Sequence, residues 1–331
     1  MRIAFFSAQS YETQVFAEIA RARGLRADFT FLAVPLTQAS AAQAAGCRAI
    51  CVFVNDRLDE AVLRALAEHG VQFIALRCAG VNHVDLDAAR ALQLPLVRVP
   101  AYSPHAVAEH VLALTLALNR KIHRAYTRVR EHNFTLDGLV GFDLHGKTVG
   151  VVGTGRVGRA VAQLFVGFGC SVLAYDPSQD ESWAQAHGVR YASMAQVLKG
   201  ARVLTLHLPL TPATRHLIDR TTLARLPAGA MLINTSRGAL VDSAALIEAL
   251  KSGHLCGAGL DVYEEEQEAF FHDFSAAIVQ DDQLARLIAF PNVILTAHQG
   301  FLTEEALADI ASTTVASLDD WMQGRPLQHQ V

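Results

Sequence analysis

The chain has 331 residues, 51% of them hydrophobic and 18% charged, enough for two domains that each bury a large sheet. A formal net charge of -4 offers no basic surface, so neither a nucleic acid nor a membrane is expected as a partner. The five cysteines include one close pair, Cys47 and Cys51, and no second pair to complete a zinc set; reduced thiols in a cytoplasmic protein are expected, and no metal.

The first apolar run is broken by Ser7, Gln9 and Ser10, too early for the core of a signal peptide. The longest such run, residues 111–118, falls far short of a membrane span. In residues 1–100, apolar runs at 3–6, 49–54, 73–76 and 96–99 read as buried parallel strands, with another strand at 29–34. Helical patterns at 13–23, 39–45, 59–69 and 84–92 lie between them. This half has no glycine fingerprint, so a dinucleotide is not expected there. Arg77-Cys78-Ala79-Gly80 follows a strand, at the carboxyl end where ligands of open α/β sheets bind. Ser103 then reads as an N-cap and Pro104 as a first helical residue, opening one long helix to about Arg130 as a strut between domains.

Residues 147–176 organise the second half. Residues 149–152 form a strand-type run, followed by Gly153-Thr154-Gly155-Arg156-Val157-Gly158, a helical run to Gly169, and a second strand at 172–175 closed by Asp176. In that order Gly153 permits the turn, Gly155 lets a pyrophosphate approach the backbone, and Gly158 lets the helix sit close on the strand. Free N–H groups and the positive end of the helix dipole then face the phosphates. Asp176 can accept the ribose hydroxyls of NAD and would repel the 2′-phosphate of NADP. The pattern predicts a Rossmann nucleotide-binding domain with NAD as cofactor.

Strands are expected near 203–207, 231–234, 257–262 and 293–296, with helices at 219–226 and 242–251. The tail offers one helix, about 303–322, which cannot bury a core alone and is expected back on the first sheet. The fold class is therefore α/β, with two doubly wound parallel-sheet domains and a cleft between them. Residues 1–101 with 300–331 form a discontinuous, flavodoxin-like domain, and residues 102–299 the nucleotide-binding one.

Reduction of a 2-keto acid beside a nicotinamide needs a guanidinium for the carboxylate, an acid for the carbonyl oxygen and a group that keeps the acid poised. Such groups belong on loops after strands of the second sheet. Arg237 stands in Asn234-Thr235-Ser236-Arg237-Gly238-Ala239-Leu240; Glu264-Glu265-Glu266 follow another strand; His298 ends the last. Two of the three glutamates are expected to be solvated.

Together with Phe53-Val54-Asn55-Asp56, Val99-Pro100-Ala101-Tyr102-Ser103-Pro104 and Glu109-His110, these stretches resemble the D-isomer-specific 2-hydroxyacid dehydrogenase family, and within it the fermentative D-lactate dehydrogenases. The resemblance covers essentially the whole chain. It implies Arg237 as the arginine that grips the carboxylate, His298 as the acid–base histidine and Glu266 as its acidic partner. It also implies cofactor contacts from the fingerprint with Arg156 and Val157, and from Asp176, Leu208, Pro209, Thr214, Thr235, Ser236 and Asp261. Tyr102 and Phe301 match the walls of the substrate pocket, and Ala79 and Gly80 match backbone donors to the carboxylate. The implied reaction is the reversible NADH-dependent reduction of pyruvate to D-lactate, in a homodimer or homotetramer joined through the nucleotide-binding domain. A relative acting on phenylpyruvate or a branched keto acid, and an NAD-sensing regulatory protein, are the alternatives. Gly300 departs from the alanine of close relatives, with no account available from sequence.

Overall fold

A computed structural model describes residues 1–266, 270–271 and 273–331. The chain divides into two compact units, Met1–Ser103 with Phe301–Val331, and Pro104–Gly300.

The first unit holds β1 (Arg2–Phe5), α1 (Ser10–Ala22), β2 (Asp28–Phe31), β3 (Ala49–Val52), α2 (Glu60–Glu68), β4 (Phe73–Leu76), α3 (Leu86–Ala91) and β5 (Leu96–Arg98). Its parallel five-stranded sheet runs β2-β1-β3-β4-β5. Every residue of β3 and β4 is buried, because helices cover both faces of a parallel sheet and leave no polar side to the strands. The helical pattern at 39–45 becomes a 3-10 turn, Ala41–Ala44. The carboxyl end of β4 is fixed by Arg77, fully buried, whose Nε and Nη2 each lie 3.0 Å from a Glu12 carboxylate oxygen. The guanidinium lies over Phe5 and Phe53, 4.2 and 5.0 Å from the ring centroids.

The second unit begins with α4 (Pro104–Asn119) and α5 (Ile122–Arg130). These replace the single helix expected to Arg130. Lys121 adopts a left-handed φ of 52°, and the Asn119 amide binds both the N–H and the carbonyl of Phe142, drawing the returning chain across the helix end. A repeating apolar pattern that runs past Leu118 gave no sign of this tertiary bond.

There follow β6 (Thr148–Val152), α6 (Arg156–Gly167), β7 (Ser171–Tyr175), α7 (Glu181–Ala186), β8 (Val189–Tyr191), α8 (Met194–Gly200), β9 (Val203–Leu206) and α9 (Arg220–Leu223). Then come β10 (Ala230–Asn234), α10 (Ser243–Lys251), β11 (Leu255–Leu260), α11 (Asp282–Ala289) and β12 (Val293–Leu295). The seven-stranded sheet runs β12-β11-β10-β9-β6-β7-β8, again parallel throughout. The strand order reverses between β6 and β9, the switch point at which such sheets bind ligands. The last helix, α12 (Glu304–Met322), returns to the first unit and packs on α1 and β4. Gln330 then bridges Val97 on the edge of β5, closing the unit with its own tail.

Candidate active site

The turn after β6 is built for close approach. Gly153 has φ +96°, and a Cβ there would lie 2.5 Å from the His207 carbonyl oxygen. A Cβ on Gly158 would lie 1.9 Å from the Gly153 carbonyl oxygen, so only glycine lets α6 start this near the strand. Gly155 caps α6 and has no neighbour within 4 Å of its Cβ direction, leaving room in front of the helix N-terminus. Arg156 is exposed at the first position of α6, and Val157 packs half-buried on the core.

Asp176, just after β7, accepts from the Thr154 N–H at 2.7 Å and the Ser178 N–H at 2.8 Å, one bond on each oxygen. Each oxygen keeps a lone pair for a diol. Beyond β9, the Ser236 hydroxyl donates to the Leu208 carbonyl and ties two loops together, while Thr214 donates to the Pro209 carbonyl within one of them. Thr235 is different: its hydroxyl oxygen is buried and has no partner among the described residues. An open cradle at a helix N-terminus, a carboxylate with free lone pairs after β7 and an unsatisfied buried hydroxyl after β10 all fit NAD.

Arg237 follows β10, and its Nη1 donates to the Ser236 carbonyl, while Asn234 Nδ2 donates to the carbonyl of Arg237. The next residue, Gly238, presses on the turn after β11: a Cβ there would lie 2.0 Å from the Tyr263 carbonyl. That turn carries Glu266. One of its oxygens accepts from the Tyr263 N–H at 3.1 Å, and the other lies 3.0 Å from His298 Nδ1. Both side chains of this pair are largely shielded from solvent.

The expectation that two glutamates are solvated fails for one of them. Glu264 accepts from Arg215 at 2.8 Å, from His216 at 2.6 Å and from the Ser243 hydroxyl, anchoring the turn from outside. Sequence spacing identifies three adjacent acids and cannot tell which carboxylate meets which loop.

Asp261, fully buried, is bound by its own neighbourhood. Thr296 Oγ1, the Gln299 N–H and the Gly300 N–H all donate to its carboxylate. Burial would push this carboxyl up, but the hydrogen bonds from His110 and Thr296 and the charges of His110 and His298 hold it below the usual value. His110, quoted only within a motif, and Thr296 carry no sequence signal of this role.

Four residues matched to the substrate pocket lie on the first unit. Phe301 is buried, with its ring centroid 5.5 Å from Phe53 and 6.2 Å from Tyr102. Ala79 and Gly80 follow the Arg77 anchor, and the Ala79 carbonyl accepts from Arg98 at 2.8 Å.

Residues 112–300 match the model of the D-isomer specific 2-hydroxyacid dehydrogenase NAD-binding domain. The chain belongs to that family. It is an NAD-dependent oxidoreductase. A D-lactate dehydrogenase of Curvularia clavata is 48% identical over 328 residues, covering 98% of this chain and 94% of that protein. The apo structure of the Escherichia coli D-lactate dehydrogenase matches with a TM-score of 0.91 at 43% identity, covering both chains fully. The D-lactate dehydrogenase of Lactobacillus jensenii, solved with NAD+, matches with a TM-score of 0.82 at 32% identity, covering 100% of this chain and 99% of that one. Among the described residues of the dehydrogenase, no helix is long and apolar enough to cross a membrane.

Proposed function

We propose that the enzyme reduces pyruvate to D-lactate with NADH, reversibly, using Arg237, His298 and Glu266. The observation that carries this reading is the 3.0 Å contact between His298 Nδ1 and Glu266 Oε1, on a turn packed against the loop of Arg237.

When bound, NADH supplies the hydride. Arg237 would grip the substrate carboxylate with its planar fork, which fixes the orientation of the carbonyl. Glu266 accepts the Nδ1 proton of His298, which fixes the orientation of the ring. The proton that travels is then the one on Nε2, passed to the keto oxygen during reduction and taken back during oxidation. The Ala79 and Gly80 N–H groups would add donors to the carboxylate. Tyr102 and Phe301, backed by Phe53, would leave space for little more than a methyl group.

Pyruvate is favoured over a bulkier acid by the D-lactate dehydrogenases among the similar proteins. The test is steady-state reduction of a keto-acid panel with both cofactors. Pyruvate should exceed phenylpyruvate in kcat/KM, and NADH should exceed NADPH at least tenfold, about 1.4 kcal/mol. A preference for phenylpyruvate would reject the substrate, and equal use of NADPH would reject Asp176 as the selector.

The enzyme would act in the cytoplasm, where its five free cysteines stay reduced. It would assemble as a homodimer or homotetramer through its nucleotide-binding unit, where Ile122, Tyr126, Val129, Phe134, Leu136 and Val140 are all exposed.

A further inference from the structure

His298 sits in a left-handed conformation, φ 53°, which a side chain of its size adopts only when the surroundings impose it. The loop that imposes it is strung on the end of β11. Thr296 N–H donates to the Leu260 carbonyl and His298 N–H to the Asp261 carbonyl, at 2.8 and 2.7 Å. The Asp261 carboxylate takes the Thr296 hydroxyl and the N–H groups of Gln299 and Gly300. A Cβ on Gly300 would lie 2.9 Å from Asp261 Oδ2 and 3.4 Å from the His110 ring, so the loop is drawn in as far as a glycine allows.

A brace to this assembly comes from outside the loop and its strand. His110, on α4, brings Nε2 to 3.1 Å from Thr296 Oγ1 and 3.3 Å from Asp261 Oδ1. The Thr296 hydroxyl proton is committed to Asp261, so the proton between His110 and Thr296 resides on the histidine. His110 therefore donates into the carboxylate that holds the residues on either side of His298, through the Thr296 hydroxyl and the Gln299 and Gly300 N–H groups.

We infer that His110 is a positioning residue for the acid–base histidine, bracing Asp261 and Thr296 so that the left-handed loop presents His298 to the substrate. The inference rests on the catalytic reading of His298. Misplacing an acid by about 1 Å costs roughly a hundredfold in rate. Loss of the brace acts on kcat, because His110 contacts neither Arg237 nor the phosphate-binding turn in any bond described above.

The test measures kcat and KM for the best keto acid of the panel, and NADH affinity by fluorescence titration, in three variants. His110→Phe removes the donor and should lower kcat about 10- to 100-fold, with KM and NADH affinity within about threefold. His110→Gln keeps an N–H at similar reach and should restore kcat to within about threefold of the parent. Thr296→Val, close in shape, should reproduce the loss and carries the test if His110→Phe does not fold. Parent-like kcat in His110→Phe or Thr296→Val, a loss that glutamine does not restore, or an equal loss of NADH affinity would each overturn the inference. An inactive parent would instead reject the enzymatic reading, and pyruvate losing to another keto acid would reject only the substrate.

Discussion

At the scale of single residues, identity and environment have to be read together. The place of Arg237, beside a glycine at the end of a sheet strand, was legible, and its proposed use rests on that place. Spacing alone does not separate Glu264 from Glu266; the family resemblance singled out Glu266, and the fold sends Glu264 to Arg215 and His216 and Glu266 to His298. The role of His110 was invisible for the same reason, since its partners are 151 and 186 positions away in the chain. The proposed use of Arg237 makes a sharp prediction. Lysine keeps the charge and loses the planar fork, so Arg237→Lys should reduce kcat/KM for pyruvate by two to four orders of magnitude, about 3–5 kcal/mol of transition-state binding. NADH affinity, measured by titration, should be nearly unchanged. A lysine variant with parental turnover would make Arg237 structural.

At the scale of elements, the central strands were the most readable part of the chain. Parallel strands covered on both faces need continuous apolar runs, and β3, β4, β9 and β10 have them. The break between α4 and α5 was unreadable because it depends on Asn119 meeting Phe142, a bond between distant turns. The junction of β6 and β9 has a consequence for acid stability. There the half-buried His207 ring lies 2.9 Å from the Thr205 hydroxyl, and burial pushes its pKa down to about 3. The unfolded chain binds that proton near pH ~6.5, so stability is complete above this value and falls as pH drops toward about 3. In His207→Gln, urea midpoints measured between pH 7 and 4 should decline less steeply, by less than about one proton because the residue is partly exposed. Identical slopes in the two proteins would remove His207 from the account.

At the scale of the whole molecule, the return of α12 to the first sheet was legible because residues 301–331 cannot bury a core alone. What the tail adds at β5, a bridge from Gln330 to Val97, was not, since one antiparallel contact leaves no periodic trace. The proposed assembly follows from the second unit, where Leu136 and Val140 are 79% and 83% exposed. Sedimentation should give a dimer or tetramer for the parent, and aspartate at both positions should yield monomers; a monomeric parent would refute the assembly. The central claim is the reaction itself, and its most direct measurement is the product formed when purified enzyme consumes pyruvate with NADH. Chiral chromatography should find lactate of the D configuration, equal in amount to the NADH oxidised. L-lactate, a racemic product or no consumption of pyruvate would contradict the account.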